Sequence, residues 1–352
     1  RAALKEGRLV FNADITPYAG RDNNVFRSPN AAPGMVKSDS FSGDIVDIDA
    51  YKNFSASDKL KFSLGFENRD YGAYNQLNED RQEAEAKFTH EFNRDISLSM
   101  RAGYSRKNNS ATNIYGLQFT RDFEYRQYET GMECKLEAAK WLDVEIGYNR
   151  RMRNYAETAL LDSLDWGQDG FSADVVAQKA GIFKFKTGAD LLMRSYERDI
   201  SSNKSGKNNP EYPLREINYL SYFVRMSVES KDAAEFFIDF RHNRKIDHWQ
   251  GYEDYGYDEA EVGMEIIPAE FFRLKAGASI QDRGYRYREG DNNMPLEYEK
   301  YSIYIAANFI PAERWQVFLQ AEYIARDSNK TTGSSNSDYN DFSDIAGVQV
   351  NF

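Results

Sequence analysis

Apolar and polar residues alternate along the chain with a period of two. Residues 60–67 read LKFSLGFE, and residues 96–104 and 315–323 repeat the same alternation. Strict alternation over this length is typical of a β-strand with one apolar face, because successive side chains of a strand point to opposite sides. We therefore predict an all-β protein.

Two kinds of connection separate the alternating segments. Short connections include 93–95, 137–140 and 230–233, and two copies of Ile-Pro-Ala-Glu begin at Ile267 and Ile310. Proline suits such turns because it cannot donate a hydrogen bond to a sheet ladder. Long polar connections, such as 201–213 and 328–338, alternate with the short ones. This arrangement places the short turns at one end of an antiparallel sheet and the long loops at the other.

We predict sixteen strands in a single domain that covers residues 1–352, with fourteen or eighteen strands as the alternatives. An even number places both termini at the short-turn end. The predicted strands are 8–18, 41–53, 60–70, 81–92, 96–106, 121–137, 142–152, 170–179, 183–196, 215–229, 235–246, 256–266, 271–285, 297–309, 315–327 and 340–352.

The apolar rows of these strands carry aromatic residues at both ends. Phe309 and Trp315 lie beside short turns, whereas Tyr301 and Tyr323 lie toward the loops. From Trp315 to Tyr323 the strand rises roughly 20 Å, at about 3.3 Å per residue and a tilt near 40°, which is close to the apolar height of membrane barrels. A soluble β-sandwich also alternates but does not require two aromatic girdles. The pattern predicts a transmembrane antiparallel up-and-down β-barrel.

Composition excludes several other classes of protein. The mean hydropathy of −0.73 is compatible with a barrel, since only alternate strand residues face lipid. Cys134 is the single cysteine, which excludes a disulfide framework and a cysteine-rich zinc site, and we interpret it as a small lipid-facing residue. The net charge of −11 disfavours nucleic acid as a partner. We expect no cofactor.

The sequence finishes with the alternating segment DIAGVQVNF, residues 344–352. This segment resembles the C-terminal signature of bacterial outer-membrane β-barrel proteins. The resemblance implies an integral protein of the Gram-negative outer membrane, with both termini in the periplasm and outer-membrane lipid around it. It also implies that the barrel-assembly machinery recognises Phe352. A homo-oligomer, or a periplasmic or extracellular partner protein, is left open.

The predicted inward rows carry most of the strand charge. We expect the acidic residues of the pore lining to be Glu83, Glu85, Glu129, Glu133, Asp143 and Glu145. We expect its basic residues to be Lys184, Lys186, Arg225, Arg241, Arg273 and Lys275. Two facing sectors of opposite charge would order water and select polar solutes, an arrangement that resembles the constriction zone of porins. Salt bridges between neighbouring strands are the alternative interpretation.

The favoured function is a porin-like channel for passive diffusion of ions and small polar solutes. Inward acids outnumber inward bases in the predicted map, so a weak preference for cations is expected. Inward glycines support an open lumen, and they leave room for barrel curvature or for something that fills the interior: Gly65, Gly103, Gly131, Gly147, Gly188, Gly263, Gly277 and Gly347. The apolar loop 156–166 is predicted either to narrow the pore or to cap neighbouring loops.

Two other functions stay open, and catalysis is not predicted. The chain could form the barrel sheath of a porin–cytochrome electron conduit that holds a separate multihaem cytochrome, or an adhesin that acts through its loops. His90 lies on an outward row, His242 and His248 flank a loop, and Gly-x-Ser-x-Gly does not occur. The acids Asp338, Asp341 and Asp344 are interpreted as solvated, because their spacing matches no calcium-binding loop.

Overall fold

Strands form wherever the alternation of the sequence predicts them. The computed structural model describes residues 9–23, 37–74, 78–109, 124–155, 165–179, 182–230, 233–290, 294–312, 314–329 and 338–352. These residues form a closed barrel in which every strand is antiparallel to its two neighbours and the last strand pairs with the first. The predicted fold class and the predicted number of sixteen strands are confirmed.

The strands follow one another around the barrel in chain order. They are β1 Leu9–Asp22, β2 Asp39–Asn53, β3 Asp58–Tyr71, β4 Glu79–Glu91, β5 Ile96–Asn109, β6 Tyr125–Ala139, β7 Leu142–Tyr155, β8 Trp166–Lys179, β9 Phe183–Ile200, β10 Leu214–Ser230, β11 Ala234–Asp247, β12 Tyr255–Ala269, β13 Phe272–Glu289, β14 Pro295–Ala312, β15 Trp315–Ser328 and β16 Tyr339–Asn351. The short connections lie at one end of the barrel, here called the turn end. The long connections lie at the other, the loop end.

Most strands extend further toward the loop end than predicted. β1 ends at Asp22 rather than at residue 18, and β8 begins at Trp166 rather than at residue 170. Beyond the apolar band both faces of a strand contact polar surroundings, so polar residues occupy both rows and alternation no longer marks the strand. The backbone ladder continues, because its hydrogen bonds do not depend on which side chains it carries.

The outer face of the barrel carries a wide band of exposed apolar side chains. Water does not solvate such a band favourably, whereas hydrocarbon does. Cys134 lies on this outer face and is exposed. The larger members of the band include Phe62, Leu64, Phe66, Met100, Met132, Ile146, Ile238, Val262, Ile303, Ile305 and Leu319. No helix among the described residues is long and apolar enough to cross a membrane.

The inner face differs from the prediction at four of the inward glycines. An added Cβ at each would lie less than 3 Å from an aromatic ring of the directly opposite residue, so the ring occupies the space that the glycine leaves. The pairs are Phe223 on Gly188, Phe237 on Gly263, Tyr304 on Gly277 and Phe318 on Gly347. In β9–β16 these glycines therefore accommodate aromatic rings rather than open space, whereas Gly65 and Gly103 face only looser contacts.

Candidate functional site

The face of the barrel that surrounds the lumen is identified by side chains that contact each other across an intervening strand. Tyr304 on β14 donates a hydrogen bond to Glu261 on β12 at 3.1 Å, over Gly277 of β13. Such a contact requires the concave face of the sheet. A cavity of about 480 Å³ lies on the same face along β1–β6. Among the described residues, the strands pack substantially only against their sheet neighbours.

The predicted pore-lining residues all occupy rows of this inner face. The acidic ones are Glu83 and Glu85 on β4, Glu129 and Glu133 on β6, and Asp143 and Glu145 on β7. The basic ones are Lys184 and Lys186 on β9, Arg225 on β10, Arg241 on β11, and Arg273 and Lys275 on β13.

The structure joins several of the predicted acids to bases that the sequence analysis did not select. Glu129 contacts Arg101 at 2.6 Å and Arg151 at 2.7 Å. Lys135 contacts both Asp143 at 2.9 Å and Glu145 at 3.5 Å. Strand pairing determines these contacts, because each partner lies on the same or a neighbouring strand. Each of these ion pairs cancels part of the negative charge that the predicted acids place on this side of the lumen.

The two sectors therefore do not each carry one sign of charge, as the sequence analysis expected. On the basic side, Lys186 pairs with Asp174 at 2.9 Å, and Arg225 pairs with Glu235 at 3.3 Å. The expectation failed because it considered only some of the inward residues of each strand. The alternative interpretation, ion pairs between neighbouring strands, describes much of the lumen wall.

A group of acids lies close together on β1, β2 and β4, and among the described residues only Glu83 of this group forms an ion pair. Asp14 on β1 lies directly opposite Asp47 on β2, and Gly65 separates Asp47 from Glu83 on β4. Like charges directly opposite each other are unfavourable in a sheet. These acids line the cavity of about 480 Å³ together with Glu85. We call Asp14, Asp47, Glu83 and Glu85 the acidic niche, although Glu83 also contacts Arg81 at 2.5 Å.

Several charged side chains of the lumen wall are exposed rather than packed. The side chain of Glu83 is 49% accessible, and that of Lys135 is 44% accessible. In a packed protein interior such side chains would be largely desolvated. The described part of the lumen wall is therefore hydrated.

Near the loop end, guanidinium groups stack on aromatic rings all round the inner face. Arg69 on β3 lies 5.0 Å from the ring of Phe41, and Arg283 on β13 lies 4.7 Å from the ring of Tyr255. Arg326 on β15 lies 4.5 Å from the ring of Tyr339. We call this belt the arginine–aromatic collar. It holds most of the buried apolar side chains: Tyr18, Phe41, Trp166, Ile217, Tyr285, Leu296, Ile324 and Tyr339.

The arginine–aromatic collar was not predicted from the sequence. The collar forms from residues far apart in the chain, which the barrel register brings to one level. A sequence signal was present, because Arg69, Arg194, Arg283 and Arg326 occupy inward positions near the loop ends of the predicted strands. Which rings they contact depends on the register between strands, and the sequence pattern does not give that register.

A folded loop pair covers part of the collar. Tyr212 in 201–213 packs on Trp249 in 248–254 at a centroid distance of 5.8 Å. The backbone N–H of Lys204 donates to Gln250 Oε1 at 3.1 Å. Gly206 adopts φ +76° against the ring of Tyr252, a backbone conformation and a proximity that favour glycine. The long polar connection 201–213 is thus an ordered structure.

A carboxylate between two cations anchors this loop pair. Glu253 contacts Lys245 at 2.9 Å and also contacts Arg288. Burial alone would raise the pKa of Glu253, but the two cations hold it below its ordinary value. The neighbouring Asp254 has its pKa raised by burial. As the pH falls, Glu253 therefore loses its contribution to stability, whereas protonation of Asp254 favours the folded state.

Candidate catalytic and metal-binding groups do not converge. His90 Nδ1 lies 2.8 Å from Asp58 Oδ1, and His242 Nδ1 lies 2.7 Å from Asp258 Oδ1; His90 and His242 lie on outward rows. Of the three acids interpreted as solvated rather than as calcium ligands, Asp338 accepts a hydrogen bond from the backbone of Ser328, whereas Asp341 and Asp344 occupy opposite faces of β16. Within the described residues, no group of three histidine, cysteine or acidic side chains could hold a metal ion.

One predicted feature lies mostly outside the described residues, and a second is described but not tested. The apolar loop predicted at 156–166 has only Asp165 and Trp166 within the described part. Phe352 is described: its side chain is exposed on the outer face, and its backbone N–H donates to Ala13 at 2.8 Å. Recognition of Phe352 by the assembly machinery stays a prediction.

Comparison with solved structures identifies the architecture. The outer membrane channel DcaP of Acinetobacter baumannii matches with a TM-score of 0.57 and 8% identity, over 98% of this chain and 97% of that chain. OmpT of Vibrio cholerae matches with a TM-score of 0.55 and 12% identity over the same shares of the two chains. The chain has the fold of a bacterial outer-membrane β-barrel.

A third barrel matches over the same extent. An anion-selective porin from Comamonas acidovorans matches with a TM-score of 0.52 and 9% identity, over 98% of this chain and 99% of that chain. No protein-family model and no curated protein matches the sequence. At these identities the likeness establishes the barrel fold, and the function of this barrel has to be argued from its own lumen.

Proposed function

We propose that the protein is a porin-like channel of the bacterial outer membrane, through which ions and small polar solutes diffuse passively. The observation that carries this proposal is the hydrated, charged inner face of a closed wall of strands. A sixteen-strand barrel is wide enough for an aqueous channel, whereas an eight-strand barrel is filled by its own side chains. The exposed apolar band of the outer face supports the membrane location.

The proposed orientation places the turn end and both termini in the periplasm. Short periplasmic turns and longer extracellular loops are typical of such barrels. The arginine–aromatic collar and the loop pair of 201–213 and 248–254 are then at the extracellular mouth.

The proposed ion preference is weakly cationic. The acidic niche supports it, because Asp14, Asp47 and Glu85 face a hydrated cavity without forming an ion pair within the described residues. Unpaired carboxylates raise the local concentration of cations. Their effect is moderated by screening over about 8 Å at physiological ionic strength.

Planar-bilayer recording of the purified, colourless protein tests the channel directly. We expect stepwise conductance in KCl and a reversal potential of cationic sign in a KCl gradient. Inserted protein that gives no conductance would contradict the channel. A red haem protein that co-purifies with the barrel would support the conduit sheath in its place.

A further inference from the structure

Trp166 lies between two guanidinium groups in the arginine–aromatic collar. Arg194 on β9 lies 4.2 Å from the centre of its ring, and Arg153 on β7 lies 5.1 Å from it. These strands flank β8, which carries the tryptophan. The Trp166 side chain is 5% exposed, so the two arginines and their surroundings cover it. The indole keeps the two positive charges apart at a fixed place on the lumen wall.

Each guanidinium is fixed by a glutamine. Arg153 donates from Nε and Nη2 to Gln127 Oε1 at 2.9 and 2.6 Å. Arg194 donates from Nε and Nη2 to Gln168 Oε1 at 3.1 and 2.8 Å. Both acceptors are neutral. In the described part of the chain neither arginine forms an ion pair, so both positive charges remain uncompensated.

Several other cations of the same belt have acidic partners. Arg69 contacts Glu67 at 3.4 Å, and Arg215 contacts Asp199 at 2.8 Å. Lys245 and Arg288 share Glu253. A half-buried charge without a counter-charge is costly. The two glutamines therefore hold the Arg153 and Arg194 geometry without neutralising it, which leaves the pair able to bind an external anion.

The remaining donors match a carboxylate. A guanidinium has five N–H donors in one plane, and the glutamine occupies the edge between Nε and Nη2. The edge between Nη1 and Nη2 stays available, and this edge binds a carboxylate through two parallel hydrogen bonds. On Arg153, Nη1 also contacts the Tyr155 hydroxyl at 3.4 Å, which is a neutral and long contact.

We propose that Arg153, Trp166 and Arg194 form a binding site for a small organic dianion with two separated carboxylates. Because the indole separates the guanidinium groups, one carboxylate binds to each, and a compact anion with one charged centre cannot engage both. The proposal rests on the channel function proposed above and names a solute class for it. The site lies on β7–β9 near the loop end, whereas the acidic niche lies on β1–β4, so a weakly cation-preferring lumen and an anion site are compatible.

Calorimetric titration of the folded, detergent-solubilised barrel with succinate tests the site without requiring conductance. Acetate provides the singly charged comparison, and inorganic phosphate provides the compact anion. We expect succinate to bind at least tenfold more tightly than either. Equal affinity for the three anions, or no succinate binding, would overturn the proposal.

Gln168→Glu is the decisive variant, because it retains the hydrogen-bond geometry but supplies Arg194 with a negative charge. We expect this variant to bind succinate about tenfold more weakly. Gln127→Glu should weaken succinate binding to the same extent through Arg153. Arg150→Gln is the matched control, since Arg150 faces outward on β7 and should leave succinate affinity unchanged. An unchanged affinity in both glutamate variants, once their barrel fold is verified, would overturn the site.

Bilayer recording separates this proposal from the channel function. Conductance without succinate binding would leave the channel intact and overturn the dianion site. Succinate binding without conductance would support the site and overturn the channel. When both hold, succinate added on the loop side should reduce the single-channel current in the unmodified protein and not in Gln168→Glu.

Discussion

The ring of Phe237 covers Gly263, its directly opposite partner on β12, so closely that an added Cβ would lie 2.4 Å from the ring atom Cζ. Phe237 is one of the few well-buried apolar side chains outside the collar. The guanidinium of Arg225 lies 3.9 Å from the centre of the Phe237 ring and forms an ion pair with Glu235. The glycine thus permits a close-packed stack on an otherwise hydrated wall.

Gly263→Ala should destabilise the barrel by about 1–3 kcal/mol, because the ring must move out of a well-packed position. The measurement is the urea midpoint of unfolding in lipid vesicles. Gly284→Ala is the control, since nothing lies within 4 Å of an added Cβ there. Equal midpoints for the two variants would show that the Phe237 ring adapts freely.

Leu319→Arg should cost about 2–4 kcal/mol, because it places a charge in the hydrocarbon near the middle of the membrane. Gln320→Arg, one residue further along β15 and on the lumen face, should be mild. Both values come from urea unfolding in vesicles of the same lipid. Similar costs at the two positions would contradict the assignment of the lipid and lumen faces.

Replacing Glu129, Glu133 and Glu145 with glutamine should shift the reversal potential toward anions. The structure strengthens this expectation for Glu129, since its removal also releases Arg101 and Arg151 from their ion pairs. Asp47→Asn should shift the potential in the same direction by a smaller amount. Clear anion selectivity in the unmodified channel would contradict the proposed role of the acidic niche.

Acid should loosen the loop pair through Glu253. Its pKa is lowered in the folded protein, so its stabilising contribution is present above the unfolded value of about 4.3 and is lost as the pH falls below it. Asp254 acts in the opposite direction, because its pKa is raised, and an Asp254→Asn background removes that effect. The protection factors of residues 248–254 against hydrogen exchange should fall below about pH 4 in this background.

Glu253→Gln provides the control for the acid response. With the carboxylate removed, exchange in 248–254 should be faster at neutral pH and should no longer depend on pH through this group. An acid transition that persists unchanged in Glu253→Gln would assign the response to another residue.

Protease added to intact cells should cleave only in segments at the loop end. The predicted extracellular segments are 19–40, 71–80, 107–120, 153–169, 197–214, 247–255, 286–296 and 328–339. Of these, 197–214 should resist best, because the loop 201–213 is hydrogen-bonded and packed on 248–254. Cleavage confined to the turns at Pro268 and Pro311 would invert the proposed orientation.

The strand pattern was predictable from the sequence because lipid and lumen impose opposite demands on successive residues. Leu319 and Gln320 show this contrast directly. The stack of Arg194 on Trp166 was not predictable in the same way, since it depends on the register between β8 and β9 rather than on either strand alone. The prediction of a purely basic sector was also wrong at Lys186, because its acidic partner Asp174 lies on the neighbouring strand β8.

The seam between β1 and β16 has a consequence for how the chain folds. The paired backbone hydrogen bonds of Ala13 and Phe352 join residues that are separated by almost the whole sequence. Pro17, which has no N–H to donate, lies on β1 between Ile15 and Tyr18, which pair with β16. Contacts of such high sequence separation form slowly, because a long loop must close before they contribute any stability. Without the pairing of β1 and β16 the sheet would have two unpaired edges, each able to pair with another molecule.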